Sequence, residues 1–245
     1  LAQMVDRLNQ KLPGYEIHII PRITLMDIWA NKNDVLLHKL NAKLHYHFTP
    51  KEEIRGQNEM SAIVPEGQPF ICFHVRDSAY LNQAFPNQDW SYHDYRDASI
   101  HNYLLSVEKL VERGYYAVRM GSVVKEKLSY SNPAIINYAE NGKRSDFMDV
   151  YLSANCRFFL GSDTGLSIVP ELFKCPMVYT NWCKLAQFPT WVNVGLFIIK
   201  RLYLKQEKRF LKFSEMLLQS NSKWSYTKFF YKRGIELIEN TPEEI

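Results

Sequence analysis

The chain has 245 residues, 46% hydrophobic and 14% aromatic, enough for one large domain or two small ones with a sizeable core. Its net charge of +4 is too modest for a nucleic-acid partner, and no run of about 18 apolar residues offers a membrane span. The four cysteines, Cys72, Cys156, Cys175 and Cys183, form no C-x-x-C pair, which disfavours zinc and fits a reducing, cytoplasmic setting.

In chain order, Met4, Val5, Leu8 and Leu12 keep helical spacing, and Pro13-Gly14 ends that helix. Glu16-Ile17-His18-Ile19-Ile20 reads as a short strand, and a helical stretch surrounds Val35-Leu36-Leu37. Thr49-Pro50-Lys51-Glu52 is a capping box that opens a helix. Residues 1–64 are therefore taken as the tail of a preceding domain or a bridge from it, and residues 65–245 as the main unit.

In that unit the pattern is regular. Phe70-Ile71-Cys72-Phe73-His74-Val75 is a continuous apolar run, the mark of a strand buried on both faces of a parallel sheet. Ile100, Tyr103, Leu104, Val107, Leu110 and Val111 follow at helical spacing, and Gly114 closes that helix. Residues 115–120 form the next strand, Ser145 caps a helix carrying Met148, Tyr151 and Leu152, and residues 157–160 are a further strand. A helix is predicted over 166–173, with Pro170 forcing a late start or a kink. Strands over 176–180 and 196–199 and a helix from Phe213-Ser214-Glu215 complete the series. Strand and helix alternate, so the expected fold is α/β with a Rossmann-like parallel sheet and right-handed crossovers.

Ligands of such sheets sit at the carboxyl ends of the strands, and three strand ends here are polar. The first carries His74-Val75-Arg76-Asp77: alternation places His74 and Arg76 on one side, and Arg76 is a fork-shaped donor suited to a diphosphate. Asp77 either holds Arg76 in place or acts as a base. The second carries Arg119, Gly121 and Ser122. The third is Gly161-Ser162-Asp163-Thr164-Gly165. Its glycines let backbone approach a ligand, its hydroxyls donate, and the helix start behind it offers free N–H groups to an anion. It also reads as an ordinary strand-to-helix turn with Asp163 or Thr164 as N-cap. His93, Asp94 and Asp97 match no tight metal-ligand pattern, and no metal site is assigned. Lys200, Arg201, Lys205, Lys208, Arg209 and Lys212 read as a solvated basic face, or else as a contact of residues 200–212 with an anionic membrane surface or a lipid-linked acceptor.

Taken together and in this order, His74-Val75-Arg76-Asp77-Ser78-Ala79-Tyr80-Leu81, Arg119-Met120-Gly121, Ser145-Asp146-Phe147-Met148-Asp149 and Leu160-Gly161-Ser162-Asp163-Thr164-Gly165 resemble a family of bacterial surface-carbohydrate glycosyltransferases. The resemblance covers most of residues 49–245. A more distant likeness is to GT-B-fold fucosyltransferases, whose His-x-Arg motif grips the donor diphosphate. Those enzymes usually carry another basic residue or Gly-Asp where Asp77 stands here. The resemblance implies that residues from about 65 onward are the C-terminal, donor-binding half of a two-domain GT-B-type enzyme. The chain's first residues and its end at Thr241-Pro242-Glu243-Glu244-Ile245, which reads as a helix start, agree with an expectation that it is a fragment.

The implied activity is transfer of a sugar from a nucleotide-diphosphate sugar to a glycan or lipid-linked acceptor, with no cofactor and no metal. Arg76, Asp77 and His74 would be catalytic. Arg119, Gly121, Ser122, Gly161, Ser162, Asp163, Thr164 and Gly165 would bind the donor. Two other classes stay open on the residues alone: a non-catalytic nucleotide- or glycan-binding module, and a metal-dependent hydrolase using His74, Asp77 and residues 93–97.

Overall fold

A computed structural model describes residues 46–183, 195–218 and 226–245, together with 13 and 185. The elements expected over 4–12, 16–20 and 35–37 lie outside the described residues.

The first described helix, α1 (Pro50–Ser61), starts at the expected capping box: the Glu52 N–H donates to Thr49 Oγ1, and the Thr49 N–H to Glu52 Oε2. The main sheet takes β1 (Phe70–His74), β2 (Tyr116–Arg119), β3 (Ile135–Ile136), β4 (Phe159–Gly161), β5 (Met177–Trp182) and β6 (Gly195–Ile199). Every pairing is parallel, and the spatial order is β3-β2-β1-β4-β5-β6. This is the Rossmann-like arrangement. The chain builds outward from β1 to β3, then returns to place β4 on the other side of β1. That reversal opens a crevice at the carboxyl ends of β1 and β4, where His74 lies opposite Gly161.

Burial on both faces explains the unbroken apolar runs. Phe70 and Cys72 pack on one face with Tyr151, Met148 and Leu152 of α4 (Asp146–Asn155). Ile71, Phe73 and Val75 pack on the other with Tyr103 and Val107. Those two belong to a 3-10 turn (Ile100–Tyr103) and to α3 (Leu104–Glu112), which replace the single helix expected there. Gly114 closes α3 at φ +88°, where glycine is favoured. Ser145 caps α4 by accepting from the Met148 N–H. The described part of residues 1–64 packs directly on this unit: Gly56 of α1 sits under the Tyr151 ring, and Tyr151 Oη donates to Glu53.

The late helix start expected from Pro170 is observed: α5 spans Ile168–Leu172, with Ser167 at its N-cap. Pro170 sits within the first turn, where a missing N–H removes no helical bond. One feature departs from the sequence pattern: β7 (Arg201–Leu204), β8 (Arg209–Phe210) and β9 (Ile235–Ile238) form an antiparallel sheet, order β8-β7-β9. Its apolar side packs with α6 (Phe213–Leu218) and α7 (Thr227–Lys232) through Leu202, Met216, Phe230 and Ile235.

Part of the basic run over 200–212 is engaged within the protein, while Lys208 and Lys212 are exposed. Lys200 is 3% exposed, and its ammonium donates to the main-chain carbonyls of Tyr95 and Asp97. Arg201 pairs with Glu244, Lys205 with Glu236, and Arg209 with Glu207 and Glu215. Among the described residues no helix is long and apolar enough to cross a membrane.

Candidate functional site

A cavity of about 540 Å³ lies at the carboxyl ends of β1, β2 and β4. Beta strand β1 contributes His74, Arg76 and Asp77; the loop after β2 contributes Gly121, Ser122 and Val123; the turn after β4 contributes Thr164 and Gly165. All three polar strand ends expected from the sequence therefore converge. The remaining walls come from α2 (Ala79–Ala84) with Tyr80 and Leu81, from Trp90, and from a 3-10 helix (Ser91–Arg96) with His93 and Arg96. Arg144 just before α4 and Asp149 in its first turn, with Leu166 before α5 and Val169 within it, close the rest.

Arg76 is the buried cation of this cavity, 7% exposed. Its backbone is fixed on both sides: its N–H donates to Ser162 Oγ at 2.8 Å, and its carbonyl accepts from Ala98 at 3.1 Å. Its Nη1 meets the Asp97 carboxylate, while Nη2 has no hydrogen-bond partner among the described residues. Burial, and next the Arg96 charge, lower its pKa, with Asp94 and Asp163 opposing. Beside its pairing with Asp97, a guanidinium so placed keeps N–H donors that an anion in the cavity would satisfy.

Asp77 does not hold Arg76. Its Oδ1 accepts from the Ala79 N–H at 2.8 Å and its Oδ2 from the Lys125 N–H at 2.9 Å, so it ties the end of β1 to the loop after β2. The partner of Arg76 is Asp97.

His74 Nδ1 lies 2.9 Å from the Met120 carbonyl, so Nδ1 carries the proton and Nε2 keeps the lone pair. Burial pushes the His74 pKa down to about 4, against the opposing effects of that carbonyl and of Asp77. The imidazole is neutral near pH 7. A depressed histidine pKa means that the unfolded chain, titrating near 6.5, binds the proton first. Stability should therefore fall as pH drops from about 6.5 toward about 4, by up to about 3 kcal/mol from this group. His74→Gln should flatten that segment of the stability–pH curve, read from urea melts of both proteins across the window. Parallel curves would assign the pH dependence to other groups.

The third strand end works differently from its sequence reading. Gly161 does not face the cavity; a Cβ there would lie 2.4 Å from the His74 carbonyl oxygen, so this glycine permits the close approach of β1 and β4. Ser162 is fully buried and stitches those strands, donating its N–H to the His74 carbonyl and accepting from Arg76. Asp163 is the partner of Arg96, whose Nη2 donates to its Oδ1 at 2.9 Å and to its carbonyl at 2.7 Å. Thr164 and Ser167 bond each other. With α5 only five residues long, the turn has no extended helix dipole behind it.

Arg119 is likewise structural. At 2% exposed, it donates to the Glu126 carbonyl and pairs with Glu140 away from the cavity lining. Gly121 holds φ +140°, a conformation L side chains rarely adopt, and an added Cβ would meet Val124 at 2.9 Å.

Comparison with protein-family models, curated proteins and solved structures finds no match for this chain. The site is thus read from its own geometry. Sequence reasoning missed Arg96 and Arg144. Arg96 sits inside the stretch weighed for metal, where the arginine, not the acids, reaches the cavity. Arg144 stands one place before the Ser145 cap, and its Nη2 bridges Asp146 and Asp149 at 2.8 and 2.7 Å. The metal-like trio is drawn apart: His93 packs on the Tyr92 ring at 4.0 Å, while Asp97 turns to Arg76. Among the described residues no group of three or more His, Cys, Asp or Glu side chains is placed to hold a metal.

Proposed function

We propose that this cavity binds the diphosphate of a nucleotide-linked sugar, and that the chain is the donor-binding half of a GT-B-type glycosyltransferase acting on a glycan or lipid-linked acceptor. The observation that carries the reading is Arg76, a buried, backbone-anchored guanidinium lining a cavity at the switch point of the sheet, with Nη2 unpartnered among the described residues. In the transfer, the bond between the anomeric carbon and the phosphate oxygen breaks, and charge grows on the departing diphosphate. Arg76 lowers the barrier by meeting that charge in a shielded place. The acceptor hydroxyl forms the new bond to the anomeric carbon and gives up its proton. His74 Nε2 is the lone pair left for it, because Nδ1 is committed to Met120. Asp77, with both oxygens bonded to backbone, positions the loop and does not act as the base.

The test is a thermal-shift panel of pyrophosphate, nucleoside diphosphates and nucleotide sugars, with and without EDTA, followed by an assay for sugar transfer. At a hundredfold excess over Kd, a ligand of the native state should add about 2.7 kcal/mol of stability. The shift should survive EDTA. No shift with any diphosphate, or a shift lost to EDTA and restored by Mg²⁺, would overturn the proposal. A second reading, a non-catalytic nucleotide-binding module, draws support from His74 itself, since a pKa near 4 makes a weak base. Binding without release of diphosphate from any donor would favour it.

A further inference from the structure

The cavity lining combines aromatic and polar side chains from different elements. Tyr80, Leu81, Trp90 and His93 give it a largely aromatic wall, while Ser122, Arg144 and Asp149 reach it from β2 and α4. The Trp90 and His93 rings lie within 7° of parallel, with centroids 6.5 Å apart. Phe85 and Tyr92 flank Trp90 at 5.7 and 6.0 Å, and the indole Nε1–H is spent on the Phe85 carbonyl, so its polar edge is already used. The wall is also held in place. Thr227 of α7 bonds both ends of the 91–95 stretch, donating to the Ser91 carbonyl and accepting from the Tyr95 N–H. Lys200 fixes the Tyr95 and Asp97 carbonyls from behind. Tyr80, 51% exposed, stands at the solvent side.

Resting on the reading of Arg76 as the diphosphate grip, we infer that the Tyr80–Trp90 wall stacks the nucleobase of the ligand, and that the sugar lies toward Ser122 and Asp149. The two ends of a nucleotide sugar differ in what they need. A base has flat π faces that stack on aromatic rings whatever its identity. A pyranose carries several hydroxyls, and those shielded from water need polar partners that an aromatic ring face does not supply. Ser122 and the Asp149 carboxylate can bond hydroxyls, and Arg144 orients Asp149. A pre-set wall also spares the ordering cost that a loose loop would add on binding.

Titration calorimetry with pyrophosphate and with UDP and GDP as probes tests this. The native chain should bind at least one of the nucleoside diphosphates about tenfold or more tighter than pyrophosphate, the scale of stacking one base. Tyr80→Ala and Trp90→Leu should each remove most of that gain while leaving pyrophosphate affinity within about twofold. Tyr80→Phe should keep the gain, because the ring and not the hydroxyl is used. Equal affinity for pyrophosphate and both nucleotides, or a nucleotide gain untouched by both wall variants, overturns the stacking assignment alone. Nucleotide binding with no pyrophosphate binding and no dependence on Arg76 overturns the diphosphate reading beneath it. No binding of any probe overturns both.

Discussion

Arg76→Ala is expected to weaken pyrophosphate and donor binding by roughly 2–4 kcal/mol, the scale for losing a charge-assisted contact in a shielded site. The root of the side chain is secured independently of its tip, by Ser162 Oγ on one side and the Ala98 N–H on the other. Removing the guanidinium therefore leaves the end of β1 in place. Stability should fall by a smaller amount, about 1–3 kcal/mol, because Asp97 loses its partner. The Asp97 side chain is 29% exposed, so water can reach the carboxylate left behind. Arg76→Lys should recover part of the affinity, keeping the charge and losing the two-pronged fork. Asp97→Asn separates the two roles of the arginine. It removes the competing carboxylate but leaves the guanidinium, so anion affinity should hold or rise while the melting temperature falls. Unchanged affinity in Arg76→Ala beside a lowered melting temperature would make Arg76 a purely structural partner of Asp97 and move the anion site elsewhere.

How far the sequence anticipates this arrangement depends on where each interaction's partner lies in the chain. Beta strand β1 was readable because burial on both faces removes polar alternation, and α4 because Ser145 and the 148, 151, 152 spacing are local signals. The antiparallel sheet was not readable, because β7 pairs with β9 across more than thirty residues and neither strand carries a turn that announces the other. Lys200 defeats composition-based reasoning for a similar reason. An ammonium is expected in water, yet two carbonyls supplied by the 91–97 segment satisfy it inside. At the site, His74 and Arg76 were legible as strand-end residues on one face. The partner of Arg76 was not: the adjacent Asp77 looked the natural choice, but two backbone N–H groups nearby claim its oxygens. Gly161 and Ser162 were picked out as donor-binding positions, and in the structure both are taken up by the contact between β1 and β4. Spacing shows that a position demands a small residue, not whether ligand or neighbouring strand makes the demand.

That last distinction predicts opposite outcomes for two glycines four residues apart. Gly161→Ala should destabilise the fold by about 3 kcal/mol or more, the upper range for overpacking. The new methyl would sit 2.4 Å from the His74 carbonyl oxygen and 3.0 Å from Phe159 Cε1. The nearer atom is backbone, so no change of rotamer relieves the contact. Relief requires β1 and β4 to separate at the His74–Gly161 pair, where Ser162 donates its N–H to that same carbonyl at 3.2 Å. Separation there also shifts Arg76, since Ser162 Oγ holds its N–H. Anion affinity should then fall together with stability. Gly165→Ala meets nothing within 4 Å and should leave the unfolding free energy within about 0.5 kcal/mol. Gly165 does line the cavity, so that variant isolates the effect of a methyl on binding alone. Urea unfolding of both variants beside pyrophosphate calorimetry reads all four quantities. If Gly161→Ala unfolds with the native chain, the two central strands tolerate a methyl between them, and the close approach of β1 and β4 is not fixed at that pair.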